Sequence, residues 1–161
     1  MKIKSLLTFS LVILLLSCQE DEDPNPNSRM EGRWEQTFEV FNLYESYHIL
    51  EFKEDGTFHG EMMARDIETN QLIGYRGIFD GSYQVNGNIL TFTEEVLLGR
   101  DLSDPAVIDD NSFVPKEELI PYSNTSEISY RIVKDFSELN FICPEDDISG
   151  CIEFTTYIKV D

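Results

Sequence analysis

The sequence predicts an all-β domain, an eight-stranded antiparallel up-and-down barrel. Three observations carry that reading. Ile152, Phe154, Thr156, Ile158 and Val160 alternate with Glu153, Thr155, Tyr157 and Lys159, the period of two that a half-buried strand requires. Leu90 and Phe92 alternate with Thr91 and Thr93, and Ile128, Tyr130 and Ile132 with Ser129 and Arg131. Turn-forming glycines punctuate these runs, and no stretch keeps amphipathic helical spacing over three turns. Closure into a barrel follows, because it removes the edges that an open sheet exposes.

The chain of 161 residues suits one such domain. Two segments of different character precede it. Lys2 and Lys4 lead into an apolar run from Leu6 to Leu16, broken only by Thr8 and Ser10. As helix the run reaches about 16 Å, too short to cross a bilayer and the right size for the core of an export signal. Leu15-Leu16-Ser17-Cys18 resembles the lipobox of bacterial lipoproteins. The resemblance implies that residues 1–17 are a cleaved signal peptide and that the Cys18 thiol carries a diacylglycerol. Two or more acyl chains then anchor the protein to a membrane without a spanning helix.

Residues 18–28 follow as the lipidated cysteine and a tether. Gln19 to Ser28 holds four acids, two prolines and no apolar residue, a composition that reads as disordered. Acids directly after such a cysteine also resemble the sorting signal of some gram-negative surface lipoproteins, which implies the outer membrane. A solvated spacer is the other reading. Removing residues 1–17 takes Lys2 and Lys4 and no acid, so the formal charge moves from −19 to −21. That charge disfavours nucleic acid, whose binding needs Lys and Arg on the phosphates. It keeps a secreted protein soluble, and its complement among partners is a basic protein.

The domain itself is residues 29–161, with strands expected at 33–42, 46–53, 57–67, 72–85, 89–97, 127–133, 138–143 and 151–160. Asn86-Gly87 is a two-residue hairpin signal, since a type I′ turn needs positive φ twice. Such a turn pairs Val85 with Asn88, Tyr83 with Leu90 and Gly81 with Phe92. A three-residue loop at Glu54-Asp55-Gly56 pairs Phe52 with Phe58, Leu50 with Gly60, His48 with Met62 and Glu51 with His59. Directly opposed residues share a face, so both registers gather large apolar groups on one side. Segment 98–126 has no clean period, and loops of that length are functional or disordered. It reads equally as a lid or as a featureless insertion, with a short helix near Lys116-Glu117-Glu118-Leu119 as the alternative.

Cys143 and Cys151 flank a seven-residue loop. In an oxidising compartment they are expected to form a disulfide. Directly opposed cysteines set Phe141 against Glu153 rather than Phe154, so the register demands a bulge or cysteines beyond regular pairing. The two histidines, His48 and His59, fall on opposite faces about 10 Å apart and cannot share a metal. His48 lies on the Phe52 face, either inside the barrel or at its rim. Asp101, Asp104, Asp109, Asp110 and Asn111 offer oxygen ligands, but without EF-hand spacing or its central glycine. No acid–base or nucleophilic constellation stands out, so neither an enzyme, a cofactor nor a metal is expected.

Gly32-Arg33-Trp34 at the head of the first strand resembles the start of lipocalin and lipocalin-like (calycin-type) barrels. Phe52-Lys53-Glu54-Asp55-Gly56-Thr57-Phe58 and Gly81-Ser82-Tyr83-Gln84-Val85-Asn86-Gly87-Asn88-Ile89-Leu90-Thr91 are similar to hairpins of lipocalin-like domains in secreted bacterial lipoproteins. The resemblance covers most of residues 31–160; the family's third block is not recognisable. It implies that Trp34 packs across the closed end beneath a late basic residue, Arg131 or Lys159. It also implies a small apolar ligand inside. Candidate binding residues are Leu50, Phe52, Phe58, Met62, Tyr75, Phe79, Tyr83 and Tyr130. Trp34, Phe38, Leu90, Phe92 and Ile128 are further interior candidates, with Ile152, Phe154 and Ile158 from the last strand. An eight-stranded barrel either fills with side chains or holds one small ligand. The alternative to a binder is an acidic interaction module with a filled core, an inhibitor of a basic enzyme or a subunit of an outer-membrane assembly.

Overall fold

A computed structural model of the chain describes residues 25–101, 103, 112–122, 127–143 and 155–160. The signal segment, Cys18, Cys151, Ile152 and Phe154 lie outside the described residues. A short helix α1 (Pro26–Met30) leads into β1 (Gly32–Val40), β2 (Tyr44–Phe52), β3 (Thr57–Arg65), β4 (Leu72–Asn86) and β5 (Ile89–Gly99). A 3-10 turn (Lys116–Glu118) precedes β6 (Ile120–Tyr122), β7 (Glu127–Val133), β8 (Glu138–Phe141) and β9 (Thr155–Val160). Each of β1 to β5 pairs antiparallel with the next, β5 pairs with β7, and β7, β8 and β9 return to β1. The ring therefore closes with eight strands, an up-and-down barrel of the lipocalin-like, calycin type. β6 stands beside the far half of β5, pairing Leu97 with Tyr122 and Gly99 with Ile120.

Turn chemistry sets the registers. Gly56 takes φ of 85°, a value that favours glycine. The Asp55 carboxylate accepts from the Thr57 backbone N–H and hydroxyl at 2.9 and 2.6 Å. The pairs Phe52–Phe58, Leu50–Gly60, His48–Met62 and Glu51–His59 all follow, as expected. The next hairpin is corrected by two residues. Asn86 pairs with Ile89 and Tyr83 with Phe92, so the turn is Gly87-Asn88 rather than Asn86-Gly87. Only Gly87 of the three has positive φ, 61°, which suits glycine at the first central position of a type II′ turn. A shift of two preserves the faces, and Tyr83, Leu90 and Phe92 are all buried.

The closed end is built around Trp34, which is fully buried. Its indole N–H donates to the Met30 carbonyl oxygen at 3.0 Å, and Met30, also fully buried, joins the same core. Residues 25–28, read from composition as the end of the tether, instead belong to α1 and its cap. The Asn25 side chain accepts from the Asn27 N–H at 3.1 Å, and Pro26 fills the first helical position, where its missing N–H costs nothing. Lys159 is the basic residue over Trp34. Leu50, Leu90 and Leu139 are fully buried beside it, each contributing about 1.5–3 kcal/mol by leaving water.

Four bulges interrupt the described ladders, with Ile73, Arg76, Glu95 and Thr156 as the extra residues, and two of them change the expected interior. Met62 pairs with Gly77 but Met63 with Tyr75, which leaves Arg76 as the extra residue. Tyr75 is thereby turned outward, where it packs with Tyr47, Ile49 and Met63. On β9, Leu139 pairs with Tyr157 and Asn140 with Thr155, so Thr156 is extra. Tyr157 is 5% exposed and Ile158 53%; Tyr157, not Ile158, is the core residue. A bulge inserts one residue and reverses alternation beyond it.

The described part of segment 98–126 runs alongside the barrel. Tyr75 and Val114 exchange backbone hydrogen bonds of 2.8 and 3.0 Å, and Phe113 meets Tyr44 edge-on at 4.8 Å. Gly74 is needed there, since a Cβ would lie 2.9 Å from the Val114 carbonyl oxygen. The Lys116–Glu118 turn falls on the segment whose composition also suits a short helix.

Candidate functional site

Above the packed closed end the barrel holds a cavity of about 700 Å³, inside the range of small-molecule sites. Its described lining comes from all eight strands of the closed ring. β1 gives Glu35 to Phe38, β2 His48, β3 Met62 and β4 Phe79, while β5 gives Phe92 and Glu94. β7 gives Ile128 and Tyr130, β8 Phe141, and β9 Tyr157 and Ile158. Phe79 reaches the cavity because Gly60 opposes it without a side chain; a Cβ there would sit 2.2 Å from its ring.

One wall is aromatic. Phe92 stacks on Tyr130 with centroids 5.4 Å apart. Phe141 and Tyr157 meet Tyr130 edge-on at 5.8 and 5.9 Å. Burial, reinforced by charge on Glu94, raises the hydroxyl pKa of Tyr130. Burial does the same to Tyr157, with Tyr130 and Glu94 adding to it. Both phenols therefore stay protonated donors at neutral pH.

His48 is the opposing polar group. Its Nε2 lies 3.1 Å from the Ser46 hydroxyl, and Phe38 meets its ring edge-on at 5.7 Å. Burial, with Arg76 adding to it, lowers its pKa to about 4, so it is neutral at pH 7. Arg76 itself lines a smaller neighbouring pocket that shares Met62.

β1 contributes four consecutive residues to the lining, although alternate residues of a strand point to opposite sides. Such a run lines a space only where the strand edge itself forms the wall. Consistently, β1 and β9 pair only over Arg33–Glu35 and Ile158–Val160 among the described residues. The cavity therefore reaches the seam between these strands.

Of the eight binding candidates, Met62, Phe79 and Tyr130 line the cavity. Leu50, Phe52, Phe58 and Tyr83 lie in the packed core. The Tyr83 hydroxyl donates to the Lys53 carbonyl oxygen at 2.6 Å, at the closed end. Tyr75 is on the outer face. Periodicity puts Phe38, Phe92, Ile128 and Ile158 inside without assigning them to a site, and it does not single out Glu35, Gln36, Thr37, Glu94, Phe141 or Tyr157, which also line the cavity. The signal for Glu94 was present, because it continues the inward phase of Leu90 and Phe92. Tyr157 had no such mark, being hidden by the bulge at Thr156. Segment 98–126 contributes no described residue to the lining; residues 102, 104–111 and 123–126 lie outside the described residues.

On the outside, the His59 ring is 2.7 Å from Asp80 and 3.5 Å from Glu61. Among the described residues no group of three or more His, Cys, Asp or Glu is placed to hold a metal. Asp104, Asp109, Asp110 and Asn111 lie outside them, while Asp101 accepts from Ser103 at 2.9 Å. No described helix is long and apolar enough to cross a membrane. No known protein family, curated protein or solved structure matches the chain.

Proposed function

We propose that this is a lipid-anchored cell-envelope lipoprotein whose barrel binds a small apolar molecule. The single observation that carries the binding role is the 700 Å³ cavity, walled by Met62, Phe79, Phe92, Tyr130 and Phe141. A packed interior would have left no such space. The charged run, apolar core and Leu15-Leu16-Ser17-Cys18 support export and acylation of Cys18, and the acids after it support the outer membrane. Cys143 and Cys151 form a disulfide in this reading.

The exit of the tether bears on orientation. Asn25 lies at the closed end, its side chain 3.3 Å from Glu54. Six residues separate Cys18 from Asn25, a reach of about 20 Å. A barrel held this way keeps its closed end toward the anchoring membrane and its cavity mouth away from it. Ligand then arrives from the aqueous side or from another carrier. The competing reading, an acidic interaction module with a filled core, has the net charge in its favour and the cavity against it.

Two mass measurements test this reading. The mature N-terminal peptide should carry acyl chains on Cys18, and a Cys18→Ser chain should be released to the soluble fraction. Native mass spectrometry of the purified domain should retain a co-purified or added lipophile at one per chain. Absence of any retained lipophile contradicts the binding role.

A further inference from the structure

The cavity has a charge sign. Among its described lining residues there are two carboxylates, Glu35 and Glu94, and no Lys or Arg. Glu35 is turned to the outer rim, where Arg33 and Tyr47 hold it. Glu94 is different: it follows Phe92 by two positions on β5 and shares its inward face. Arg76 lines the adjoining pocket, which shares Met62, and its charge adds to the burial that lowers the His48 pKa.

Glu94 and the aromatic wall of Phe92, Tyr130, Phe141 and Tyr157 border one space. A ring presents a negative face, and carboxylate plus aromatic rings is the chemistry that receives ammonium groups. An anionic head group brought there meets the like charge of Glu94, which disfavours it. Resting on the reading of the cavity as a ligand site, we propose that its ligand is an apolar molecule bearing a cationic nitrogen, an amine or quaternary ammonium, seated between Glu94 and the aromatic wall. A fatty acid is the wrong ligand for this barrel.

The test compares three probes of equal chain length below their micelle concentrations: dodecyltrimethylammonium, dodecan-1-ol and dodecanoate. Each is titrated by displacement of bound N-phenyl-1-naphthylamine from the mature domain at physiological salt. The cation should bind at least about tenfold more tightly than dodecanoate, with the alcohol between them. Glu94→Gln should bring the three within about threefold of one another. Glu68→Gln, which removes an exposed acid on the 66–71 loop, should keep the wild-type order and so exclude attraction by net charge alone.

Equal or tighter binding of dodecanoate overturns the proposal, and so does an unchanged order in Glu94→Gln. The wild-type order decides the sign even where that variant fails to fold. Binding of the naphthylamine with no displacement by the cation also overturns the proposal while the cavity reading stands. Failure of the naphthylamine itself to bind removes the cavity reading.

Discussion

Lys159 Nζ sits 5.7 Å from the centre of the Trp34 ring and donates a 2.8 Å hydrogen bond to the Arg29 carbonyl oxygen. One side chain from the last strand thus ties the first strand to α1, and chain entry to barrel closure. Arg29 continues the tie, ion-paired to Asp135 and stacked 3.8 Å over Phe136. Those residues, with Lys134, hold positive φ of 48–62° in the β7–β8 turn, which non-glycine residues adopt only when held.

Lys159→Ala should destabilise the domain by about 1–2 kcal/mol, through the lost cation–π contact and charged hydrogen bond. Trp34 is the sole tryptophan, so urea unfolding followed by its emission reads the effect directly. An unchanged midpoint would mean the closed end holds without this tie.

His48 makes stability depend on pH. The unfolded chain takes up its proton below about 6.5, whereas burial delays uptake in the folded state to about 4. The unfolded state therefore binds more protons between these values, and stability falls as pH drops through them, by up to about 3 kcal/mol. Between pH 7 and 5 the wild type should lose about 2 kcal/mol more than His48→Gln. Burial raises the pKa of Glu35 and of Glu61, but hydrogen bonds and neighbouring positive charges together hold both below the ordinary value, so they lose their contribution only below about 4.5 and leave this window clear. Parallel pH curves for the two proteins would contradict the buried neutral imidazole.

Gly60→Ala should act on cavity and fold together. The new methyl meets the Phe79 ring, which escapes only by turning into the cavity. A cost of about 1–3 kcal/mol is expected for the overpacking, with weaker binding of the naphthylamine probe. Loss of stability with binding unchanged would mean that Phe79 does not border the bound ligand.

Cys143 and Cys151 should be unreactive toward an alkylating reagent until reductant is added, and reduction should cost about 2–3 kcal/mol. Two alkylated cysteines in the unreduced mature domain, counted by mass, would exclude the bond.

The eight strands were legible because each carries an unbroken period of two over at least part of its length. The β2–β3 register was legible because Gly56 fixes a three-residue loop. What escaped was single-residue insertion: Arg76 and Thr156 reverse the faces of β4 and β9 without any mark in composition. Period two alone therefore points Tyr75 inward and puts Ile158, which lies at the cavity edge, in the core place that Tyr157 holds. The Gly87-Asn88 turn escaped for a related reason, since Asn86-Gly87 and Gly87-Asn88 put the same residues on the same faces. Whether the barrel was filled or hollow lay beyond periodicity altogether. It depends on how far Phe79, Phe92 and Tyr130 reach across, and glycine at position 60 gives only one part of that answer.

The binding role requires the space beside Ile128 and Tyr130 to be open to a ligand. Titration of the mature domain with N-phenyl-1-naphthylamine, read by the directly excited emission of the probe itself, tests this directly in wild type and Ile128→Trp, whose larger ring occupies that space. Saturable binding of one probe per wild-type chain, lost in a folded Ile128→Trp, is the expected result. No saturable binding to the wild type, or equal binding to both, would contradict it.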